Sequence, residues 1–205
     1  MNWDPRWDHL FSTTEWGAFP NECLVRSFSP LASRLEKPPV VLELGCGTGA
    51  NFALYQKYQS IIYGIDASSS ALSVCKNKSD PSQSHNRLQL LQYDLYEFSP
   101  SSLNKRFDFV VDIECLYSLS IPRAKKIIDD CANILEPGGS FISVMFSDRT
   151  DMSLLRQFNG VSTRTLPEVQ YLFGKFTNVS IERTSRTKNS MTALIDEYIV
   201  IASNT

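Results

Sequence analysis

The sequence predicts an α/β protein built on a doubly wound, mostly parallel sheet with helices on both faces. Three observations lead to this prediction. Short apolar segments rich in β-branched residues alternate with amphipathic segments along the chain. A glycine-rich turn joins the first of these apolar segments to the start of a helix. The next apolar segment ends in a carboxylate about 20 residues after the glycines, which is the spacing of a ribose-binding acid.

The first strand and its turn occupy residues 40–51, which read V-V-L-E-L-G-C-G-T-G-A-N. The continuous apolar start predicts a strand that is covered on both faces. Gly45, Gly47 and Gly49 remove side chains where the chain bends and where a small molecule approaches the backbone. A helix is predicted over residues 52–58, and its N-terminus attracts a carboxylate or a phosphate.

The second strand is predicted over residues 60–66, S-I-I-Y-G-I-D, and it ends at Asp66. Glycine turns without ligands are common, so the glycines alone are weak evidence. Strand, glycine turn, helix, strand and acid together describe a βαβ unit that binds a nucleoside. The sequence therefore predicts a nucleoside cofactor.

The remaining elements continue the same alternation. Residues 80–86, D-P-S-Q-S-H-N, form a loop by composition, and E-P-G-G at residues 136–139 is expected to end a helix. Further helices are predicted over residues 69–77, 122–135 and 166–176. Further strands are predicted over residues 88–93, 107–113, 140–146, 179–183 and 197–202. The order is that of five β/α units followed by a terminal pair of strands.

Composition limits the function. A chain of 205 residues fills one core and predicts a single structural domain. The net charge of -2 and the pI near 5.7 give no overall attraction for nucleic acid or an anionic membrane. The polar N-terminus is unlike a secretory signal, and no apolar run reaches membrane-spanning length. We therefore expect a soluble, cytoplasmic protein without nucleic-acid or membrane partners, whose oligomeric state the sequence leaves open.

The cysteines and histidines do not predict a metal site. The five cysteines are dispersed, odd in number and without C-x-x-C spacing, which argues against a disulfide framework and against structural zinc. The two histidines, His9 and His85, are far apart in the chain. We therefore assign no metal.

Five motifs in order resemble class I S-adenosylmethionine-dependent methyltransferases. They are E-L-G-C-G-T-G (43–49), Y-G-I-D (63–66), Q-Y-D-L (92–95), F-D-F-V-V-D-I (107–113) and L-E-P-G-G-S-F (135–141). The resemblance covers about residues 40–202. It implies a Rossmann-like, seven-stranded sheet whose last strand, at residues 197–202, inserts antiparallel. It also implies S-adenosylmethionine as the cofactor and S-adenosylhomocysteine as the product.

The resemblance also implies residue roles. Glu43 and the glycine turn would hold the methionine moiety, Asp66 would take the ribose hydroxyls, and Asp94 with Leu95 would flank the adenine. The cofactor-binding residues implied in this way are Glu43, Gly45, Cys46, Gly47, Asn51, Asp66, Ala67, Asp94, Leu95, Ile113 and Trp16.

The N-terminal segment is similar to a second family element. Residues 14–26, T-E-W-G-A-F-P-N-E-C-L-V-R, resemble the W-G-x-x-P-x-E stretch of bacterial small-molecule methyltransferases near the tellurite-resistance and thiopurine types. This similarity implies that residues 1–35 form an arm over the cofactor and acceptor pocket of a domain at residues 36–205. Phe19 and Asn21 are then expected in the substrate pocket. Alternatively, the aromatic residues of this segment only pack the arm onto the sheet.

Three residues are candidates for contact with the methyl acceptor. Glu114 and Tyr117 lie just beyond the fourth strand, at the sheet edge where ligands bind. Tyr117 is equally compatible with a packed ring whose hydroxyl finds a partner. His9 would be an auxiliary base if the arm closes over the pocket, and otherwise an ordinary solvated histidine. We expect catalysis mainly by alignment and exclusion of water.

The expected function is methyl transfer to a small molecule through a hydroxyl, carboxylate, thiol or amine. An N-P-P-Y motif is absent after the fourth strand, which disfavours nucleic-acid and glutamine acceptors. A protein or peptide side chain stays open as the acceptor, as does a catalytically silent binding module. An NAD(P)-dependent oxidoreductase is a further alternative, because Gly45-x-Gly47-x-x-Ala50 and Tyr171-x-x-x-Lys175 formally fit its motifs.

Overall fold

The computed structural model describes residues 3–14, 17–78, 87–154, 161–188 and 193–204. Seven strands form one sheet in the order β3-β2-β1-β4-β5-β7-β6. Strands β1 to β5 are parallel to one another, whereas β7 runs antiparallel to both β5 and β6. The predicted fold class and the antiparallel last strand are therefore confirmed. The strands are β1 (Val40–Leu44), β2 (Ile61–Asp66), β3 (Leu88–Gln92), β4 (Phe107–Ile113), β5 (Leu135–Phe146), β6 (Asn178–Lys188) and β7 (Ala193–Ser203).

Six α-helices are described, together with three short 3₁₀ turns. The two N-terminal helices were not predicted. The second of them does carry a helical signal, because Asn21 caps it and the buried residues Leu24, Phe28 and Ala32 are four residues apart. None of the described helices is both long and apolar enough to span a membrane. The helices are α1 (Arg6–Thr13), α2 (Glu22–Ala32), α3 (Phe52–Lys57), α4 (Ser69–Lys78), α5 (Ile121–Ile134) and α6 (Leu166–Leu172).

Helices cover both faces of the sheet. Consecutive residues of β4 from Phe109 to Val111 belong to different core clusters, as the two-residue period of a strand requires. Val110 faces the cluster that contains α5 and α6, while Phe109 faces the cluster that contains α2 and α3. Phe28 of α2 lies with its ring centroid 4.7 Å from that of Phe109 and 5.2 Å from that of Tyr55. Helix α2 therefore belongs to the core, and only the chain before it is placed to cover a site.

Three strands, β5, β6 and β7, have bounds that differ by several residues from the sequence prediction. E-P-G-G was expected to end the helix and to precede a strand at residues 140–146, but β5 already begins at Leu135, which pairs with Phe107 before the register shifts to the pair Ser140 and Phe109. A Cβ on Gly139 would lie 2.9–3.0 Å from three carbonyl oxygens, so only glycine fits this irregular pairing. The terminal strands are also longer than predicted. Their additional residues are largely polar and pair with each other, which leaves no apolar alternation to detect.

Candidate functional site

A cavity of about 530 Å³ lies at the carboxyl ends of β1 to β4, beneath the N-terminal segment. Its walls come from the carboxyl ends of these strands, from the turns that follow them, and from described residues within 3–11 and 17–21. Such a position is the usual ligand site of a doubly wound sheet, and the volume suits a small molecule. Of the predicted site residues that the structure describes, all except His9 line this cavity.

The turn after β1 presents bare backbone to the cavity. Gly45, Gly47 and Gly49 have φ angles of 69°, 52° and 76°, in the left-handed region that favours glycine. A Cβ on Gly45 would lie 2.2 Å from the Sγ of Cys115, so this turn packs directly against the turn after β4. A Cβ on Gly47 would meet only the ring of Phe11, at 3.7 Å. Gly47 therefore faces the space between the sheet edge and α1.

Glu43 brings a buried carboxyl group to the cavity wall. Glu43 is 2 % exposed, and its Oε1 accepts a hydrogen bond of 2.6 Å from Nδ2 of Asn51. Burial raises the pKa of the Glu43 carboxyl to about 8, against the opposing effect of the Asn51 amide. The Tyr55 hydroxyl is close enough to oppose the rise in the pKa of this carboxyl, but no hydrogen bond of good geometry joins it to Oε2, and neither atom has another partner among the described residues. An unpaired buried carboxyl oxygen is suited to a ligand ammonium group.

Asn51 and Asn21 connect the β1 turn to the start of α2. The Oδ1 of Asn51 accepts a hydrogen bond of 2.9 Å from the backbone N–H of Asn21. The side-chain oxygen of Asn21 caps α2 by accepting from the N–H groups of Cys23 and Leu24. Asn21 lines the cavity as predicted for a pocket residue, but its carbonyl oxygen is engaged in this cap.

Asp66 lies at the end of β2 and faces the glycine turn. Its carboxylate accepts hydrogen bonds from the backbone N–H of Gly47 at 2.8 Å and of Ser68 at 2.9 Å. Burial raises the pKa of the Asp66 carboxyl, while these N–H groups oppose the rise. Ala67 lines the cavity beside Asp66, and Asp94 and Leu95 line it after β3. The acids at the ends of neighbouring strands therefore share one wall.

Helix α1 is docked over the site by an aspartate that the sequence analysis did not single out. The Asp8 carboxylate accepts from Ser68 Oγ at 2.6 Å, Ser70 N–H at 3.1 Å and Ser70 Oγ at 2.9 Å. These hydrogen bonds lower the pKa of the Asp8 carboxyl, with that from Ser68 contributing most. Asp8 thereby accepts from the otherwise free backbone N–H of Ser70 at the start of α4, where Ser68 Oγ accepts from the backbone N–H of Ala71. The sequence carries no signal for this contact across 60 residues.

The same helix places His9 away from the cavity. Trp7 and Phe11, four residues apart on one face of α1, stack with ring centroids 5.8 Å apart, and both line the cavity. His9 is two residues from each, on the opposite face of the helix, and it is exposed. The prediction of His9 as an auxiliary base is therefore not supported by its position, whereas its interpretation as a solvated histidine agrees with it.

The turn after β4 supplies Glu114 and Tyr117 to the cavity. Glu114 has a φ of 53°, a conformation that is costly for a residue with a side chain. Tyr117 is 3 % exposed, and its ring centroid lies 4.9 Å from that of Phe146. Burial raises the pKa of the Tyr117 hydroxyl well above its usual range, and the Glu114 carboxylate adds to this effect. Tyr117 is thus both a packed ring and a cavity residue.

The other predicted residues have simple placements. Trp16 lies outside the described residues, Phe19 lines the cavity while 84 % exposed, and Cys46 and Ile113 also line it. The described residues contain no group of three His, Cys, Asp or Glu side chains arranged to hold a metal.

The residues that suggested an oxidoreductase do not reach the site. Tyr171 is 58 % exposed on α6, and Lys175 Nζ is bound to Asp129 O at 2.9 Å and to Asn133 Oδ1 at 2.8 Å. Neither Tyr171 nor Lys175 lines the cavity. They therefore do not form the tyrosine and lysine pair of a dehydrogenase.

The strand order, the antiparallel last strand and the acids beside a glycine turn agree with the arrangement that the resemblance to class I methyltransferases implies. Comparison with known proteins agrees with this assignment. Residues 41–139 match the family model described as the methyltransferase domain. The resemblance to class I S-adenosylmethionine-dependent methyltransferases is therefore confirmed, with S-adenosylmethionine as the cofactor.

Two curated relatives and one solved structure illustrate the similarity. Ubiquinone biosynthesis O-methyltransferase from Coxiella burnetii (strain Dugway 5J108-111) is 29 % identical over 99 residues, covering 48 % of this chain and 40 % of the relative. Malonyl-[acyl-carrier protein] O-methyltransferase from Paenibacillus sp. (strain JDR-2) is 29 % identical over 122 residues, covering 58 % and 43 %. The chain thus spans about 40 % of the length of the curated relatives it matches.

The solved structure is the N-methyltransferase NodS from Bradyrhizobium japonicum WM9 in complex with S-adenosylhomocysteine. It superimposes with a TM-score of 0.67 at 17 % sequence identity and covers 96 % of both chains. At this identity the similarity shows the fold alone. The agreement extends over almost the whole chain.

Proposed function

We propose that this protein transfers a methyl group from S-adenosylmethionine to a small-molecule acceptor. The observation that carries the proposal is the order of acids along the sheet edge. Asp94 follows β3, Asp66 ends β2, and Glu43 lies on β1, with the glycine turn after it. Because β3, β2 and β1 are neighbours in this order, the three acids form a row. The row suits an adenine, a ribose and a methionine moiety in sequence.

Each position in the row fits its part of the cofactor chemically. Asp66 is a half-buried acceptor suited to the ribose hydroxyls, and Asp94 with Leu95 offers a polar and an apolar group to the adenine. The unpaired Oε2 of Glu43 suits the methionine ammonium, beside the bare backbone of Gly45 and Gly47. Cys46, Asn51, Ala67 and Ile113 complete the walls.

The acceptor is expected on the far side of the methionine position, at β4. This strand is the next neighbour of β1, and the sheet changes direction of winding between them. When bound, S-adenosylmethionine supplies a methyl group that is already activated on a positively charged sulfur. The residues Glu114 and Tyr117 would then only need to position the acceptor. Both curated relatives are O-methyltransferases, and the one named for ubiquinone biosynthesis supports a small acceptor.

The chain before α2 is proposed to cover the site and to exclude water. The stacked rings of Trp7 and Phe11 lie on α1, and Phe11 is next to Gly47. Asp8 attaches α1 to the first turn of α4 through its hydrogen bond with Ser68. The N–H of Ser68 also donates to Asp66, so α1 and the proposed ribose acid are connected through one residue. Exclusion of water in this way favours methyl transfer over side reactions.

Thermal unfolding with and without ligands tests this function. S-adenosylmethionine and S-adenosylhomocysteine should each raise the midpoint temperature of unfolding, while NADH should have no effect. At a ligand concentration of one hundred times Kd, the free energy of unfolding should increase by about 2.7 kcal/mol. The variant Asp66→Ala should bind S-adenosylhomocysteine more weakly by about 1–3 kcal/mol, because the ribose hydroxyls lose a half-buried charged acceptor. A response to NADH without a response to either sulfur ligand would refute the proposal.

The matched control is Glu182→Ala, which removes an exposed carboxylate on β6 outside the cavity. Its ligand affinity should equal that of the unaltered protein. If the Asp66 and Glu182 variants bind S-adenosylhomocysteine with equal affinity, Asp66 does not contact the ligand.

A further inference from the structure

Arg123 binds backbone carbonyl groups instead of an acid. It lies in the first turn of α5, where the helix dipole disfavours a positive charge. None of the salt bridges among the described residues includes it. Its Nε and Nη2 donate to the carbonyl oxygen of Leu95, at 2.9 and 2.5 Å, and Nη2 also donates to that of Phe98, at 2.7 Å. The guanidinium therefore attaches α5 to the chain that follows β3.

The chain after β3 forms a turn over residues 94–98. The carbonyl oxygen of Asp94 accepts from the N–H groups of Glu97 and Phe98, both at 2.9 Å. The Oδ1 of Asp94 accepts from the N–H of Tyr96, also at 2.9 Å. The N–H groups of residues 96–98 are thus bound within the turn, and Asp94, Leu95 and Tyr96 line the cavity.

Leu95 differs from the residues that follow it in this turn. Its backbone N–H has no hydrogen-bond partner among the described residues, although Leu95 is only 7 % exposed. Buried backbone N–H groups are nearly always paired, so an unpaired one at a cavity wall indicates a place for a ligand acceptor. Arg123 binds the carbonyl group of this same residue.

A donor at this position distinguishes between purine bases. The proposed row of acids puts the adenine of the cofactor at this turn. Adenine has a ring nitrogen that accepts a hydrogen bond, next to an exocyclic amine that donates. Hypoxanthine has a ring N–H and a carbonyl oxygen in the same two places. The N–H of Leu95 therefore matches adenine and opposes the ring N–H of hypoxanthine.

We propose that Arg123 is a positioning residue that makes the site specific for an adenine base. It holds the carbonyl groups of Leu95 and Phe98 and thereby fixes the direction of the unpaired Leu95 N–H. Arg123 does not line the cavity, so it acts only through the turn. A guanidinium suits this task, because its planar fork of donors holds two carbonyl groups in a fixed geometry. This role rests on the proposed function and adds a residue of α5 to the cofactor site.

Binding of two ligands that differ only in the base tests the role of Arg123. Calorimetry with the full chain gives the affinities for S-adenosylhomocysteine and for S-inosylhomocysteine, in which hypoxanthine replaces adenine. The unaltered protein should bind the adenine ligand at least about tenfold more tightly, because the hypoxanthine leaves a buried donor unsatisfied. In Arg123→Met the adenine ligand should bind about tenfold more weakly, and the affinity for the hypoxanthine ligand should change by less than about threefold.

Two further variants separate positioning from a general loss of structure. Arg123→Lys keeps a charge that can reach one carbonyl group but lacks the fork, so it should retain an intermediate preference for adenine. The matched control is Arg106→Met. Arg106 precedes β4, at the end of the strand away from the cavity, and its Nη1 donates to the carbonyl oxygen of Leu135 at 2.8 Å. This control should keep the full preference, and a purely structural loss would weaken both ligands by the same factor.

The outcomes separate the role of Arg123 from the proposed function. Equal affinities for the two ligands in the unaltered protein overturn the role, as does a preference that survives unchanged in Arg123→Met. If Arg123→Met does not fold, an unchanged preference in Arg123→Lys overturns it instead. Loss of the preference in Arg106→Met overturns it as well. In these cases an intact affinity of the unaltered protein for S-adenosylhomocysteine leaves the proposed function standing, whereas absence of that affinity counts against both.

Discussion

The carboxyl group of Glu43 should make the stability of the ligand-free protein depend on pH near neutrality. Its pKa is raised from 4.5 to about 8, chiefly by burial. At roughly 1.4 kcal/mol per pKa unit, ionising this group in the folded protein costs about 5 kcal/mol relative to the unfolded chain. A raised pKa means that the folded state binds the proton more tightly. The favourable contribution is therefore complete below pH 4.5 and is lost as the pH rises through 8.

The variant Glu43→Gln removes this titration with little change of shape. The glutamine oxygen still accepts from Asn51 Nδ2, and the amide replaces the protonated carboxyl. Between pH 6 and pH 8 the free energy of unfolding should fall by about 2 kcal/mol more in the unaltered protein than in the variant. Urea unfolding at several pH values measures this difference, and Glu182→Gln serves as the exposed control. Parallel stability curves for Glu43→Gln and the unaltered protein would refute the reasoning.

Ligand binding should reverse the protonation of Glu43. A methionine ammonium against Oε2 favours the ionised carboxylate, so binding of S-adenosylhomocysteine near pH 7 should release about one proton. Calorimetry in two buffers of different ionisation enthalpy measures the number of protons released. The release should disappear in Glu43→Gln. A value near zero in the unaltered protein would show that the ammonium does not approach this group.

Three further variants test helix α1 and the glycine turn after β1. Asp8→Ala should weaken the docking of α1 by about 1–2 kcal/mol, because the carboxylate satisfies Ser68 and Ser70, and amide exchange in α1 should accelerate; unchanged protection would contradict the docking role. Gly47→Val should abolish S-adenosylhomocysteine binding, since φ is 52° and the side chain enters the cavity; retained affinity in calorimetry would contradict this. His9→Ala should change turnover by less than about tenfold once an acceptor is found, because His9 is exposed outside the cavity; a larger loss in a steady-state assay, with cofactor binding intact, would restore His9 as a base.

The central strands and the cofactor end of the site were predictable from the sequence. Apolar runs, glycine spacing and the acid at Asp66 are local patterns that record how each segment is buried and where the backbone must turn. Parallel strands then bring their carboxyl ends to one edge, which places Glu43 and Asp94 in the same cavity as Asp66. The antiparallel last strand followed from resemblance to a known family rather than from any local pattern.

The sequence by itself therefore determined the sheet, the glycine turn and the row of acids. The tertiary structure decided which side chains meet across long separations. Asp8 reaches Ser68 across 60 residues, and Arg186 lies between Glu114 and Glu197. It also decided that His9 faces solvent. These outcomes depend on how helices pack and on where unlike charges come together, and neither leaves a periodic signal in the chain.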